Sequence, residues 1–276
     1  MTTTQWPTPA NACDAHLHVY DPRFAAAQAD SRVPNGRSLA DYRQVQQRLG
    51  LQRAVIVQAK LYGTDNSCLL DALEHLHGQG RGIAVVDPSI SDDELQRLHA
   101  GGVRGLRFSL WKAADQVVQV EDIAPLAARI AQWGWHVQIH MGAEQILDQQ
   151  LLLANLPVPI VFDHLGRLPP GSDASHPAFS FIAGLIEADR AWVKLSGAYL
   201  NTAIGGPDYP DASLIARAFA RLAPQRLVWG SDWPHMTEAH APDDARLLEL
   251  LGEWVGSEAA RNTVLVDNPA RLYGFT

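Results

Sequence analysis

The sequence is poor in several features that mark particular protein classes. Its 276 residues include only two cysteines, Cys13 and Cys68, which argues against a disulfide scaffold and fits a reducing compartment. Basic residues are fewer than acidic ones, 22 against 30, and the formal net charge is -8. A general nucleic-acid partner would require a basic face, so the charge argues against one, although a local basic pocket remains compatible with it.

Signals for a membrane or for secretion are also missing. No run approaches the ~20 consecutive apolar residues that span a bilayer. The first residues, MTTTQWPTPANACDAHLH, contain neither a basic stretch nor the apolar stretch of a secretory signal. Hydrophobic residues nevertheless make up 47% of the chain, enough for a large core. We therefore expect a soluble protein of the cytoplasm.

Short apolar segments rich in β-branched residues recur along the chain, and they predict strands. Segments with apolar residues at three- and four-residue spacing lie between them and predict helices. The predicted strands are 12–20, 53–59, 82–88, 103–109, 135–141, 159–165, 192–198 and 226–232. The clearest predicted helices are 38–50, 91–102, 122–134, 211–224 and 242–256.

This alternation predicts the fold class. Apolar strands that alternate with amphipathic helices are typical of a parallel sheet covered by helices. Eight such units fit one (β/α)8 TIM barrel, which takes about 250 residues. An open, doubly wound sheet is the alternative, but no G-x-G-x-x-G turn follows any predicted strand, which weakens its dinucleotide-binding version. Composition does not break along the chain, so we expect a single α/β domain over residues 1–276.

The first predicted strand, CDAHLHVYD, carries three ionisable side chains at alternate positions. Successive side chains of a strand point to opposite faces, so Asp14, His16 and His18 are expected to share one face. A polar face of this kind is either a functional site or a costly defect in a core. We expect the pair in DAHLH to form one wall of a site.

Further polar residues follow other predicted strands. His140 ends the fifth, Asp163 and His164 end the sixth, and Ser231 and Asp232 end the eighth. In a barrel, catalytic side chains come from the C-terminal ends of the strands. His16, His18, His140, His164 and Asp232 should therefore meet on one rim.

Two kinds of chemistry suit this group, and the residues alone leave both open. His16, His18, His140 and Asp232 could hold a divalent metal ion, with Zn²⁺ the ion that such ligands suit best. The ion would activate a bound water and polarise a carbonyl. Without metal, the histidines could donate to a carbonyl oxygen while Asp232 takes a proton from water.

The ordered motifs DAHLH, FDHLG and WGSDWP resemble the amidohydrolase superfamily, and more closely its amidohydrolase-2 branch of lactonases and lactone isomerases. The likeness runs from about residue 11 to residue 275 and includes VIVQAKLYGTDN, GVRGLRFSL and NPARLYGF. It implies a (β/α)8 barrel that opens or rearranges lactones. It also implies that Asp232 is the general base that activates water. His16, His18 and His164 would then orient the lactone or polarise its carbonyl.

The resemblance also bears on metal content. The superfamily usually binds a metal, whereas several members of this branch need none. Their fifth strand does not end in histidine, but here it ends in His140. We therefore keep both the metal site and the metal-free site, in which His140 would bind substrate.

The resemblance implies a set of substrate-binding residues. Arg107 falls where the pyrone-dicarboxylate enzymes have a carboxylate-binding arginine, and Arg167 also matches a basic position. The arginine expected after strand seven is absent; the segment KLSGAYLN offers Lys194, Ser196 and Tyr199 instead. After strand two, Lys60 and Tyr62 could reach the substrate or shape the loop.

The function that we predict is hydrolysis of a carboxylate-bearing lactone derived from a sugar acid or from aromatic ring cleavage. Alternatives are a lactone isomerase, a metal-dependent decarboxylase and a catalytically inactive barrel with a binding role. The intact set of histidines and aspartate argues against a catalytically inactive barrel. The expected partner is a small anionic lactone, not a nucleic acid or a membrane, and a homo-oligomer is compatible with the sequence.

Overall fold

Eight parallel strands form the centre of the protein. The computed structural model describes residues 6–112, 116–238 and 241–276. Each strand pairs with the next in sequence order within one sheet. The strands are β1 (Cys13–Leu17), β2 (Arg53–Val57), β3 (Gly80–Ala84), β4 (Val103–Ser109), β5 (His136–His140), β6 (Ile160–Phe162), β7 (Ala191–Leu195) and β8 (Leu227–Trp229).

The first and last strands meet through backbone hydrogen bonds just beyond β8. The amide of Asp232 donates to the carbonyl of His16, and the amide of His18 donates to the carbonyl of Trp233, each at 2.8 Å. The sheet therefore curves round into a barrel. The predicted (β/α)8 TIM barrel is confirmed, and the open, doubly wound alternative is wrong.

Helices surround the barrel. Of the eleven α-helices in the described residues, five match segments predicted from sequence, and the others lie in stretches without a specific prediction. The helices are α1 (Leu39–Leu49), α2 (Ser67–His75), α3 (Asp92–Ala100), α4 (Ile123–Ile130), α5 (Ala143–Asp148), α6 (Gln150–Ala154), α7 (Pro177–Glu187), α8 (Pro210–Leu222), α9 (Asp244–Val255), α10 (Glu258–Asn262) and α11 (Asn268–Tyr273). Within the described ranges, none of these helices is long and apolar enough to cross a membrane.

Helix boundaries follow the local sequence signals. The Ser38 side chain accepts a hydrogen bond from the amide of Asp41 and starts α1, and Gly50 ends it with a left-handed φ of 72°. Ser91 caps α3 in the same way, accepting from the amide of Glu94. These caps satisfy amides that have no partner within the helix.

The apolar side chains form two layers. Residues such as Ile56 and Trp229 point outward and pack against the helices; the Trp229 indole N–H donates to a carbonyl of α9. Their neighbours Val55, Val57 and Val228 belong to a separate buried cluster that fills the barrel interior. This alternation follows the two-residue repeat of strands, and it leaves the carboxyl ends of the strands for polar residues.

Several predicted strands extend beyond the observed ones at this carboxyl end. β6 stops at Phe162 and β8 at Trp229, whereas the predictions extended to residues 165 and 232. Polar residues near these ends therefore lie on turns above the barrel and not in the ladder. The single-domain organisation over 1–276 stays a prediction.

Candidate active site

Asp232 is the centre of the polar group above the barrel. Its carboxylate is 10% exposed, and Oδ1 lies 3.5 Å from Nε2 of both His16 and His18. Oδ2 lies 4.0 Å from Nε2 of His164. The structure thus brings these four side chains, which come from three different strand ends, into one cluster.

Two of these residues have a backbone conformation that non-glycine residues rarely adopt. His164 has a φ of 49° and Asp232 a φ of 62°. Such left-handed residues cost about 1–3 kcal/mol each and gather at functional sites, where surrounding contacts enforce them. The Asn201 amide supplies one such contact, donating to the carbonyl of His164 at 3.0 Å. Gly230 allows another close approach, since a Cβ there would lie 2.5 Å from Cβ of His16.

The expectation that Asp14 shares a face with His16 and His18 is wrong. Between Asp14 and Leu17, three steps along β1 match only two along β2, so the register shifts. A bulge of this kind re-aims the side chains that follow it. His16 and His18 consequently point to the site, whereas Asp14 points away from it.

Asp14 has a structural role behind the site. Its carboxylate accepts hydrogen bonds from the Tyr42 hydroxyl on α1 at 3.1 Å and from the Ser231 hydroxyl at 2.6 Å. The Ser231 amide donates to the same carboxylate at 2.9 Å. Burial raises the pKa of Asp14 to about 6, against the opposing effect of these hydrogen bonds. Asp14 therefore joins β1, α1 and the turn that carries Asp232.

A second buried polar network lies below the cluster, inside the barrel. Asp163 Oδ2 accepts from Nε of Arg107 at 3.0 Å and from Nε2 of Gln138 at 3.1 Å. Lys194 Nζ donates to Oε1 of Gln138 at 2.7 Å and contacts Nδ1 of His16 at 3.2 Å. The network supports His16 from the side opposite Asp232.

The ionisation of this network follows from its burial and its charges. Burial would raise the pKa of Asp163, but His16, Arg107 and Lys194 outweigh it and hold that pKa well below the usual range. Burial lowers the pKa of Lys194 to about 8, although Asp163 opposes the shift. At neutral pH the interior therefore contains an ammonium and a carboxylate in contact.

His16, His140 and His164 are neutral at neutral pH. Burial lowers the pKa of His164 to about 4, and it lowers the pKa of His16 and of His140 well below the usual range. Burial would by contrast raise the pKa of Asp232, but His164, the hydrogen bond of His18 and His16 hold it well below its ordinary value. The site thus presents a carboxylate beside the neutral imidazoles of His16 and His164, which suits a base beside hydrogen-bond donors.

Hydrogen-bond partners define which ring nitrogens carry protons. An ammonium can only donate, so where Nδ1 of His16 accepts from Lys194 at 3.2 Å the proton of the neutral ring is on Nε2; the Asp163 carboxylate, 3.3 Å from the same nitrogen, would place it on Nδ1. Nδ1 of His18 lies 2.9 Å from the carbonyl of Val57, which can only accept, so this nitrogen carries a proton. Nε2 of His16 faces Nε2 of His18 at 3.3 Å and Oδ1 of Asp232 at 3.5 Å.

Among the residues that the structure describes, His16, His164 and Asp232 offer ligand atoms within 4.8 Å of one another, the spacing of a metal site. The metal-binding residues predicted from sequence are His16, His18, His140 and Asp232. In the structure His164 belongs to the group instead, His18 lies beside it, and His140 lies outside it. The spacing fits a divalent ion, which would need the lone pair on Nε2 of His16. A hydrogen bond from Lys194 to Nδ1 would instead place the ring proton on that nitrogen.

His140 lies at the edge of the cluster, with its ring against His164 at a centroid distance of 5.3 Å. Its Nδ1 is 3.0 Å from the Ser109 hydroxyl, and its Nε2 is buried without a hydrogen-bond partner among the described residues. Trp111 stacks on the His140 ring, and the Arg167 guanidinium covers Trp111 at 4.0 Å. This stack gives the rim a cationic, aromatic wall.

The other predicted substrate residues are placed differently. The Tyr199 hydroxyl donates to Asp232 within the cluster. The Tyr62 hydroxyl exchanges hydrogen bonds with the backbone of Asp21, at 2.7 and 3.1 Å, which favours its role in shaping the loop. Lys60 is exposed at the start of the short turn after β2. Substrate contacts by Lys60 and Tyr62 stay predictions.

The structure places three residues under the site; sequence reasoning assigned no role to two of them, Asp163 and Gln138, and offered Lys194 only in place of an absent substrate-binding arginine. Asp163, Gln138 and Lys194 have side chains that are almost fully buried. The signal for Lys194 is visible in the segment AWVKL, where a charged residue interrupts an apolar strand. A lysine in such a strand is buried only when it has partners, and this points to a polar network.

Comparison with known proteins agrees with the geometry. The amidohydrolase family model matches residues 13–275. The 2-pyrone-4,6-dicarboxylate hydrolase of Comamonas testosteroni is 36% identical, covering 98% of this chain and 92% of that protein. The 4-sulfomuconolactone hydrolase of Rhizobium radiobacter is 34% identical, covering 96% and 91%. A crystal structure of an Agrobacterium tumefaciens protein superposes with a TM-score of 0.90 at 29% identity and covers 98% of both chains.

Proposed function

Because the chain belongs to the amidohydrolase family, we propose that it is a lactonase that hydrolyses the ring of an anionic lactone. The observation that carries this proposal is the Asp232 carboxylate among three imidazoles. Two relatives that align over almost the whole chain are lactone hydrolases, which supports the same reaction here. The expected role is the catabolism of lactones from aromatic compounds or sugar acids, in the cytoplasm.

The proposed reaction uses Asp232 as general base. Its carboxylate takes a proton from water as the water oxygen attacks the lactone carbonyl carbon. The ring C–O bond then breaks, and Asp232 returns the proton to the leaving oxygen. The products are a carboxylic acid, ionised at neutral pH, and a hydroxyl group. A general base in this position contributes about 10²–10⁴-fold to the rate.

The neutral histidines would stabilise the charge that develops on the carbonyl oxygen. His16 carries a proton on Nε2, and His164 turns its Nε2 to the same side of the cluster. Donors aimed at a developing oxyanion in a buried site are worth about 3–4 kcal/mol. His18 would orient Asp232, and His140 would bind the substrate through its unpartnered Nε2.

An anionic substrate fits the charges of the rim. Arg107 and Arg167 lie near the imidazoles, and both lower the pKa of His164. Tyr199 contacts the base directly, so it is close enough to touch the lactone ring. Zn²⁺ is the ion that the imidazole and carboxylate ligands would suit; a His16 proton on Nε2, where the Lys194 contact would place it, favours a reaction in which water is activated by Asp232 alone.

The test is an assay of proton release and product formation on a panel of carboxylate-bearing lactones. Hydrolysis at neutral pH should release acid and form the ring-opened product, and the Asp232→Asn variant should not. Isomerisation would change the lactone without acid release, and decarboxylation would release carbon dioxide. Either result would replace the proposed reaction. Loss of activity on exhaustive chelation, with recovery on adding Zn²⁺, would contradict the metal-free mechanism.

A further inference from the structure

Lys194 is completely buried inside the barrel, and the reaction proposed above makes no use of it. Its ammonium donates to Oε1 of Gln138 at 2.7 Å and to Nδ1 of His16 at 3.2 Å. We propose that Lys194 is a positioning residue that fixes the tautomer of His16 and thereby keeps divalent metal ions out of the site. The inference concerns metal selection and goes beyond lactone hydrolysis.

The structure contains a second partner for the same ring nitrogen. Oδ1 of Asp163 lies 3.3 Å from Nδ1 of His16, and this oxygen has no hydrogen-bond partner among the described residues. The two contacts with Nδ1 have nearly equal lengths, 3.2 Å to Lys194 and 3.3 Å to Asp163, and we assign the hydrogen bond to the ammonium. The ammonium thus takes the place that the carboxylate would otherwise have beside His16.

These two partners impose opposite tautomers. An ammonium requires a lone pair on Nδ1 and so leaves the proton on Nε2. A carboxylate would accept a proton from Nδ1 and so leave the lone pair on Nε2, which points at Asp232. A histidine held by a carboxylate in this way is the usual metal-ligating arrangement. Asp163, His16, His164 and Asp232 are therefore the parts of a metal site that Lys194 disables.

The positive charge of Lys194 also disfavours a divalent ion at this position. Lys194 and the metal position lie on either side of the His16 ring, within an interior where charges are weakly screened. A divalent ion would meet both a protonated ring nitrogen and a fixed positive charge. Removing the ammonium should release Nδ1 to donate to Asp163, and His16 would then offer its lone pair to an ion.

The first experiment measures zinc binding in the absence of substrate. Wild-type protein and the Lys194→Met variant are titrated with Zn²⁺, and bound metal is quantified after gel filtration. Partners of metal-ligating histidines change metal affinity by about 10–100-fold, so Lys194→Met should bind Zn²⁺ tighter than the wild type by about that factor. Equal affinity in the two proteins would overturn the proposal.

The matched control is Arg107→Met. Arg107 also contributes a buried positive charge beside Asp163, but it does not contact His16. If the tautomer decides metal binding, this variant should gain far less zinc affinity than Lys194→Met. Equal gains in both variants would mean that charge alone excludes the ion, and the tautomer argument would be wrong.

The second experiment needs only the wild-type protein, so it remains decisive if Lys194→Met does not fold. Nitrogen-15 NMR of labelled histidines distinguishes a protonated ring nitrogen from a bare one, and a His16→Gln sample assigns the signals. The expected result is a neutral His16 with its proton on Nε2. A proton on Nδ1 in the wild type would overturn the proposal. Where Lys194→Met folds, its His16 should show the opposite tautomer.

Discussion

The hydroxyl of Tyr199 donates a hydrogen bond of 2.5 Å to Oδ2 of Asp232. Tyr199 lies on the short turn after β7, and its ring packs edge-on against His235 at a centroid distance of 5.2 Å. His235 in turn has Nε2 2.8 Å from the carboxylate of Asp244. The carboxylate of Asp232 is thus held from one side by Tyr199, and its other oxygen faces His16 and His18.

We predict that Tyr199→Phe lowers kcat/KM about 10–150-fold, because hydrogen bonds to charged groups are worth about 1.5–3 kcal/mol. A hydrogen bond to an ionised carboxylate favours that form and lowers its pKa. Its loss should therefore raise the pKa of Asp232 and move the acid limb of the pH–rate profile to higher pH. Tyr42→Phe is the matched control, since Tyr42 contacts Asp14 behind the site. An acid limb that stays in place in Tyr199→Phe would contradict this role.

Asp232→Asn should lower kcat by at least ~100-fold, in line with the loss of a general base. Asparagine has the shape of aspartate and tolerates a left-handed backbone, so the φ of 62° at this position should be kept. Circular dichroism and thermal unfolding would check that the fold survives. Near-normal turnover in a folded Asp232→Asn protein would contradict the role of Asp232 as general base.

The barrel and the polar strand ends could be predicted from sequence because both depend on local patterns. Alternating strands and helices determine the fold, and the ends of parallel strands must share a rim, which placed His16, His164 and Asp232 correctly near one another. The orientation of Asp14 could not be predicted, because a bulge in β1 depends on pairing with β2 and leaves no signal in DAHLH. The contact of Lys194 with His16 spans 178 positions in sequence, and only the closed barrel brings them together.

Arg107→Met should raise KM for a carboxylate-bearing lactone by about 10–150-fold, the range that a charge-assisted hydrogen bond supports. The effect on a neutral lactone of the same ring should be much smaller. Steady-state kinetics on the two substrates measures the difference. Because Nε of Arg107 also donates to Asp163, some loss of stability is expected in addition. Equal effects on both substrates would mean that Arg107 serves only to hold Asp163.

Stability should fall as the pH is lowered from about 6.5 toward 4. Burial lowers the pKa of His136 to about 3 and that of His164 to about 4, from 6.5 in the unfolded chain. In this window the unfolded chain binds protons that the folded protein does not, so acid favours unfolding. Asp14 acts in the opposite direction, because its raised pKa lets the folded state bind a proton first. The buried histidines outnumber Asp14, so the free energy of unfolding should increase as the pH rises.

His136 offers the sharpest test of this slope. Its ring is buried on β5 inside the barrel, and neither ring nitrogen has a hydrogen-bond partner among the described residues. His136→Leu should therefore raise stability at pH 5, since it removes unpaired polar atoms and a group that favours unfolding in acid. It should also reduce the slope of the unfolding free energy against pH by up to about 1.4 kcal/mol per pH unit. Denaturant titrations at pH 5, 6 and 7 would measure both quantities. An unaltered slope in His136→Leu would mean that the folded protein already binds a proton at His136, and the barrel interior would then hold one more charge than we assign to it.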